Sequence, residues 1–330
     1  MELRSQCPDY IHRLKLEYEE LMKEADLLER HHGGLAKMTT HVWNSHIPAG
    51  GCYCRYQLIN TCVLDSLLYV LRSAHSKHKC IQELFRCDRT MSAIMIFLYA
   101  EKYDQAKVLW LIQLNLLSEN CRFFMSEEVD VWSEVEDHLP VFNDMVLARH
   151  HYDEGRQSPD ISESLYHNTL SVFECYGDVK ILGLNCTDFC LILVHVNGRM
   201  GTAPQSHITD VYGRTYELEF LLLSDNTEPI NHMVGCSETV AGWVLYDDNP
   251  EKTPMNEFNM ENADFLDHLV IHLSGYVNTS KSHQGGGNGG HLQEYVPFGV
   301  PEEGSQVGTS PFNMPTRSSS PTRPVKLKKD

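Results

Sequence analysis

The sequence has few basic residues and no long apolar segment, and both shortages exclude functions. Its 330 residues include 27 Lys and Arg against 45 Asp and Glu, a formal net charge of −18. A sequence-independent nucleic-acid binder needs cationic side chains to displace counterions from phosphates, so we expect no nucleic-acid partner. No stretch approaches the roughly 20 apolar residues of a membrane span. The first residues also lack the apolar core of a signal peptide. We therefore expect no membrane association and a cytoplasmic or nuclear location.

Motifs for metals and nucleotides are missing as well. The 11 cysteines include no C-x-x-C pair, because Cys52 and Cys54 are too close and Cys186 and Cys190 too far apart. The glycine-rich run at 285–290 lacks the Lys-Ser/Thr of a phosphate-binding loop. We expect no metal and no organic cofactor. In a reducing compartment the cysteines are free thiols, either structural or catalytic.

Three segments follow from composition. Residues 1–34 contain an amphipathic helix, predicted over 9–32 from apolar residues spaced three and four apart, from Ile11 to Leu28. This helix could self-associate, bind a partner or pack on the main domain. Residues 35–277 form the main domain. Residues 278–330 are rich in Gly, Ser and Pro with a basic end, which predicts a disordered tail.

The predicted secondary structure of the main domain changes along its length. Two packed helices are predicted within 90–117, where apolar residues are dense. From about residue 170 onward, apolar β-branched runs such as Leu191–Val196 and Tyr216–Leu223 predict strands. Helices followed by an antiparallel sheet indicate an α+β fold.

Cys62 is the first candidate for chemistry. Leu64, Leu67, Leu68 and Leu71 follow it at helical spacing, so a buried helix begins at or just before the thiol. Unpaired backbone N–H groups and the positive end of the helix dipole favour a thiolate at such a position. The thiolate is the form of cysteine that acts as a nucleophile.

A second segment supplies a base and a group to orient it. Residues 230–248 predict a β-hairpin with His232 on its first strand, a turn at about 237–240 and Asp247 at the end of its second strand. The Asp247 carboxylate would accept the Nδ1 proton of His232. Nε2 would then face a thiol.

Both segments resemble the sequence boxes of ubiquitin-specific proteases. Asn60-Thr61-Cys62, then Leu64 and Ser66-Leu67-Leu68, resembles the family's cysteine box. Tyr216–Leu223, His232 and Trp243–Asp248 resemble its histidine box, and Leu191–Val196 with His195 resembles an apolar strand between the two. The elements occur in the family's order over residues 50–250.

The resemblance implies a papain-like cysteine peptidase fold and assigns roles. Cys62 would be the nucleophile, His232 the general base and then acid, and Asp247 the group that orients the histidine. Gln57, five residues before the nucleophile, would stabilise the oxyanion, and Asp248 would assist. The implied activity is hydrolysis of the bond after the C-terminal glycine of ubiquitin or a ubiquitin-like modifier, whose conjugates would be the partners.

Departures from the family pattern keep a second reading open. Val63 replaces the usual aromatic residue, Asp65 stands where asparagine is usual, and Asn231 replaces the glycine before the histidine. The interval from Cys62 to His232 is short, and the zinc-binding fingers motifs are missing. The alternative is a catalytically inactive protein of the same fold that acts as a binding or scaffold module.

Overall fold

A computed structural model of the chain describes residues 8–38, 46–117, 127–151, 177–184, 189–200, 204–209, 214–225, 232–239, 242–249, 255–259 and 269–280. All of these residues belong to one unit that spans residues 1–286. None of the helices within them is both long and apolar enough to cross a membrane. Apart from residues 278–280, the predicted tail lies outside the described residues.

Helices occupy the first half of the described chain and strands the second, which confirms the α+β class. The helices are α1 (Pro8–His32), α2 (Leu35–Met38), α3 (Cys62–Lys77), α4 (Lys79–Cys87), α5 (Arg89–Tyr99), α6 (Tyr103–Gln113) and α7 (Val135–His138), which leads into a 3₁₀ helix (Leu139–Met145). The strands are β1 (Gly51–Tyr53), β2 (Tyr56–Ile59), β3 (Glu127–Asp130), β4 (Val146–His151), β5 (Gly177–Gly183), β6 (Phe189–Met200), β7 (His207–Thr209), β8 (Thr215–Asp225), β9 (His232–Thr239), β10 (Gly242–Tyr246), β11 (Met255–Phe258) and β12 (Leu269–Asn278).

The strands form two sheets. In the small sheet, β2 pairs antiparallel with β1 and parallel with β3. The large sheet has the order β11-β10-β9-β8-β12-β6-β5-β4, with β7 paired to β8. The strand latest in the sequence, β12, thus lies in the middle of the large sheet, between β8 and β6.

The continuous apolar runs of the sequence correspond to strands that are buried on both faces. Along β6, Leu191 and Leu193 pack into the core shared with the helices, whereas Ile192 and Val194 pack into a second core on the other face. Alternate side chains of a strand point to opposite faces, so a strand covered on both sides has apolar residues at every position. The 12-residue β6 also extends beyond the predicted end of this run, to Met200.

Helix α1 packs on the main domain. Its buried residues Leu21, Met22 and Ala25 belong to the same core as α3, α5 and α6. Its polar side is fixed to β2, where the Tyr56 hydroxyl donates to Glu17 Oε2 at 2.7 Å. The predicted helix at 9–32 is therefore confirmed, and its apolar stripe faces the interior of the protein.

Candidate active site

Cys62 is the first residue of α3, as the sequence predicts. Thr61 precedes it, and the Thr61 hydroxyl joins two neighbours: it accepts from the Gly50 backbone N–H at 2.7 Å and donates to Asp65 Oδ2 at 2.5 Å. The Cys62 side chain is half-buried, whereas Val63, next along the helix, is buried. A thiol in this position has the unpaired N–H groups of the first helical turn close by.

The structure brings the three predicted catalytic residues together. His232 is the first residue of β9, and its Nε2 lies 2.7 Å from Asp247 Oδ1. The Cys62 side chain is close enough to His232 to contribute to the raised pKa of the imidazole. Asp248 joins the group, with its Oδ1 3.3 Å from His232 Nε2. A thiol, an imidazole and two carboxylates thus form one cluster.

The predicted use of the two ring nitrogens is wrong. Tyr246 pairs with Gly235 across the hairpin, so Asp247 lies diagonally from His232 and not beside it. The Asp247 carboxylate contacts Nε2, the ring nitrogen farther from the backbone, which extends to such a diagonal neighbour. Nδ1 is therefore the nitrogen left for Cys62.

The predicted turn of the hairpin is also wrong. Strand β9 continues to Thr239, which pairs with Gly242, so residues 237–239 belong to the strand. The Thr239 hydroxyl donates to the Gly242 carbonyl at 2.7 Å and closes the ladder at this end. The turn is thus shorter than the sequence predicts.

The environment of His232 holds a proton on the imidazole. Its pKa is raised from 6.5 to about 10, first by the hydrogen bond to Asp247, then by that to Cys62, against the opposing effect of burial. The Asp247 Oδ1 atom also accepts the backbone N–H of Asn249 at 2.9 Å, which fixes the carboxylate. A cysteine side chain beside an imidazole that a carboxylate orients is the arrangement used in nucleophilic catalysis by cysteine.

Behind the thiol lies a buried ion pair that sequence reasoning missed. Lys107 Nζ is 2.7 Å from Asp65 Oδ1, and both side chains are fully buried. Lys107 also donates to the carbonyl oxygens of Pro48, at 2.6 Å, and Gly50. In the sequence Lys107 looks like one of several charges between two helices. The available signal is that residues 106 and 108–111 on either side of it are apolar.

Burial raises the pKa of Asp65, the carboxyl of this pair, and of the neighbouring Asp248. It raises the pKa of Asp65 to about 8, although Lys107 and the Thr61 hydroxyl oppose the change. It also raises the pKa of Asp248, against the effects of His232 and of a hydrogen bond from Asp65.

A small pocket with a volume of about 40 Å³ opens beside Cys62. Its lining combines polar and apolar side chains from the start of α3 and the residue after β2, from the segment after β3 and from the large sheet, namely Asn60, Cys62, Val63, Trp132, Ser133, Glu134, Ser224, Met233 and His272. Asn60 has a left-handed backbone with φ of 54°, and its amide donates to Asp130 Oδ1 at 3.0 Å. Gln57 is exposed on β2 and is not among these lining residues. Its predicted role in stabilising the oxyanion stays a prediction.

His272 is a pocket residue that the sequence did not indicate. Against β8 the register of β12 shifts between Ile271 and Leu273, so His272 is the extra residue of a β-bulge. The register against β6 also shifts there, but the extra residues lie in β6. A bulge re-aims a side chain, and bulges are frequent beside active sites. His272 Nε2 is hydrogen-bonded to the Ser224 hydroxyl at 2.8 Å, and burial lowers its pKa. The only sequence signal is a histidine inside an apolar strand.

Among the described residues, one cluster has the donor atoms for a metal ion. Single donor atoms of His232, Asp247 and Asp248 lie within 4.8 Å of one another. The hydrogen bond between the imidazole and Asp247, together with its ion pair to Asp248, accounts for this proximity without a metal.

We compared the chain with models of protein families and with curated proteins. No family model matches it. No curated protein matches it either. The chemistry of the site therefore carries the functional interpretation.

Proposed function

We propose that this protein is a papain-like thiol isopeptidase that hydrolyses the bond after the C-terminal glycine of ubiquitin or a ubiquitin-like modifier. One observation carries the proposal: a cysteine at a helix start lies beside a histidine whose pKa it helps to raise, and Nε2 of that histidine contacts a carboxylate. The helix α3 packs against β9, the strand that supplies the histidine. This division of the catalytic residues between a helix and a sheet is the arrangement expected of a papain-like peptidase.

In the first half of the reaction, the Cys62 thiolate attacks the glycine carbonyl carbon. The carbonyl electrons move to oxygen and form a tetrahedral oxyanion. As the C–N bond breaks, the His232 imidazolium gives its proton to the departing lysine amine. The products are a free amine and an acyl-thioester between Cys62 and the modifier.

In the second half, the neutral His232 takes a proton from water as the water oxygen attacks the thioester carbonyl. The C–S bond breaks, the modifier leaves with a free carboxylate, and Cys62 returns to the thiolate beside an imidazolium. Asp247 keeps the ring oriented through Nε2 in both halves, because the proton moves at Nδ1. No metal or organic cofactor enters these steps.

The surroundings of Cys62 fit a slender substrate. The pocket volume of about 40 Å³ suits residues without bulky side chains, such as a terminal glycine. The Cys62 backbone N–H and the Asn60 amide are candidates to stabilise the oxyanion, since Asn60 lines the pocket and Gln57 does not. The net charge of −18 suits a modifier tail that carries arginines.

A second candidate is a catalytically inactive member of the same fold that binds such modifiers. The observation that favours it is that Gln57, the predicted oxyanion donor, is exposed and does not line the pocket beside Cys62. The cytoplasmic or nuclear location stays a prediction under either reading.

The test is covalent labelling with ubiquitin that carries a thiol-reactive group at its C-terminus, alongside probes built on other ubiquitin-like modifiers. We expect an adduct with the wild-type protein, none with Cys62→Ala and slower labelling of His232→Ala. Cys54→Ala is the matched control, because Cys54 is an exposed free thiol outside the site. It should label at the wild-type rate. Absence of labelling by every probe, with the protein folded, would favour the inactive binding module.

A further inference from the structure

One wall of the pocket beside Cys62 is a short segment between β3 and α7. Trp132, Ser133 and Glu134 of this segment all line the pocket. Trp132 is 53% exposed, although an indole is a large apolar group. No step of the proposed reaction uses these three residues. An exposed indole beside a nucleophile is available to contact the substrate.

The backbone of this segment is anchored to the strand that leads to the nucleophile. The Val131 N–H donates to the Ile59 carbonyl at 3.0 Å. Asp130 Oδ1 accepts from the Asn60 amide and from the Trp132 backbone N–H, both at 3.0 Å. The hydrogen bond from Asn60, and then that from Trp132, hold the pKa of the Asp130 carboxyl below its usual value. One carboxylate thus joins two residues that line the pocket.

A buried histidine also fixes this segment. The Trp110 indole N–H donates to Nδ1 of His138 at 3.0 Å, so the proton of the neutral imidazole is on Nε2. Nε2 donates to the Ser133 hydroxyl at 2.7 Å, and this hydroxyl donates to the Val131 carbonyl at 2.9 Å. Burial lowers the pKa of His138 to about 4, so the ring stays neutral at physiological pH. Each donor in this chain therefore has one acceptor.

The third residue of the wall, Glu134, begins α7. Its side chain accepts the Asp137 backbone N–H, and its own N–H donates to Asp137 Oδ2 at 3.2 Å. The polar side chains of Ser133 and Glu134 thus have partners within the fold. The indole of Trp132 is the exposed side chain that this anchored segment presents to the pocket.

A fixed indole beside so small a pocket makes it selective. The pocket volume is about 40 Å³, and the indole forms part of its boundary. A substrate residue with a side chain would collide with the indole or displace it. In a tight apolar pocket a single methyl or methylene group changes the rate of a reaction by about tenfold or more.

We propose that Trp132 is the specificity-determining residue of this site: its indole covers the last residue of the substrate chain, admits glycine and excludes any residue with a side chain. The inference rests on the proposed function and names the part of the protein that selects a glycine end. Asp130 and His138 are positioning residues, because they act through the backbone of the segment that they hold.

The test uses two forms of each ubiquitin and ubiquitin-like probe, in which the last residue is glycine or alanine and carries a vinyl methyl ester. Mass spectrometry follows the labelling rate at Cys62. We expect the wild-type protein to react about tenfold or more faster with the glycine form. This preference should be lost in Trp132→Ala and largely kept in Trp132→Phe, which retains an aromatic ring. An unchanged preference in Trp132→Ala would overturn the inference.

Two controls separate substrate selection from damage to the thiol. Leu116→Ala removes an exposed apolar side chain outside the pocket and should keep the wild-type preference. Iodoacetamide is small enough to reach Cys62 past the indole, so it should alkylate Trp132→Ala and the wild type at similar rates. A fall in the iodoacetamide rate that equals the fall in probe labelling would overturn the inference, because the thiol itself would then be altered.

A second pair of variants tests the anchoring of the wall. Asp130→Asn keeps an oxygen that accepts from Asn60 and Trp132, and it should retain the preference for glycine. Asp130→Ala has no acceptor and should lose most of this preference. Equal preferences in the two variants would overturn the positioning role of Asp130.

Failure of the proposed function gives a different result. Absence of labelling of the folded wild-type protein by every probe would overturn the proposed function, and this inference with it. Labelling of the wild type at equal rates by the glycine and alanine forms would overturn this inference alone.

Discussion

His232 binds its proton much more tightly in the folded protein than in the unfolded chain. Its folded pKa is about 10, against 6.5 as the ordinary value. The stability that comes from this proton is fully present below pH 6.5 and is lost as the pH rises toward 10. Since Asp247 is the largest cause of the shift, the loss reflects a weaker imidazolium–carboxylate pair.

This predicts a pH-dependent difference between the wild-type protein and His232→Gln. Chemical denaturation should give a free energy of unfolding that favours the wild type most at pH 6, with the difference shrinking steadily between pH 7 and 10. His207→Gln is the matched control, because His207 is exposed and lies outside the site. A constant difference across this range would show that His232 is neutral in the folded state at neutral pH.

Single residues also mark where sequence reasoning succeeds and fails. Cys62 and His232 could be placed because each lies at the start of an element whose apolar periodicity is visible in the sequence. Lys107 could not, because a cation in a helix usually points to solvent, and only the tertiary fold provides the buried carboxylate and carbonyls that it binds. The resemblance assigns oxyanion stabilisation to Gln57, five residues before the nucleophile, and that role stays a prediction because Gln57 is exposed and does not line the pocket.

At the scale of elements, the site depends on the close approach of α3 and β9. The glycine at position 235 of β9 faces α3: a Cβ there would lie 3.0 Å from Val70 Cγ1 and 3.1 Å from the Ser66 carbonyl oxygen. The Ser66 hydroxyl also donates to the Met233 carbonyl at 3.1 Å, which fixes the two elements in register. Cys62 lies one helical turn before Ser66 on α3, and His232 lies three residues before Gly235 on β9.

Gly235→Ala should therefore separate the catalytic pair. The added methyl group forces β9 and α3 apart, at a cost of about 1–3 kcal/mol in the free energy of unfolding. Anionic iodoacetate is attracted to an imidazolium beside a thiol, whereas neutral iodoacetamide is not. We expect the ratio of their alkylation rates at Cys62, iodoacetate over iodoacetamide, to fall by about tenfold. In the double variant Gly235→Ala/Val70→Ala, space for the new methyl should restore part of the ratio. No change in the single variant would mean that the spacing of the two elements does not control the pair.

The elements themselves were predicted more reliably than their connections. Strands β8, β9 and β10 fall where β-branched and apolar residues cluster. The hairpin turn and the diagonal position of Asp247 depend on the pairing register of β9 and β10. A turn that is one residue longer or shorter changes this register. The bulge at His272 is likewise a property of two neighbouring strands and is absent from the local sequence.

At the scale of the whole molecule, α1 belongs to the main core. Leu21 on this helix is fully buried, whereas Leu27, six residues later, is 58% exposed. The two leucines offer the same substitution in the same helix with opposite environments. The predicted self-association through residues 9–32 stays a prediction, for which exposed Ile11, Leu16 and Leu27 are the available apolar contacts.

Leu21→Ala should lower the free energy of unfolding by about 3 kcal/mol, because a cavity is left in the core. Leu27→Ala should change it by less than about 0.5 kcal/mol. Denaturant titration measures both, and light scattering of the Leu27→Ala protein tests self-association at the same time. Similar small losses for both variants would show that α1 is not needed for the core.

The central place of β12 has a consequence for how the protein is made. A ribosome synthesises β8 and β6 well before Leu269–Asn278, and until that strand arrives both neighbours carry unpaired edges. Such edges attract other chains, so the nascent protein needs a chaperone or rapid completion to avoid aggregation. Cys62 and His232 are already synthesised at that stage, but the sheet that carries the histidine cannot close. The pocket beside Cys62, which His272 of β12 lines, is thus completed only after that strand has joined the sheet.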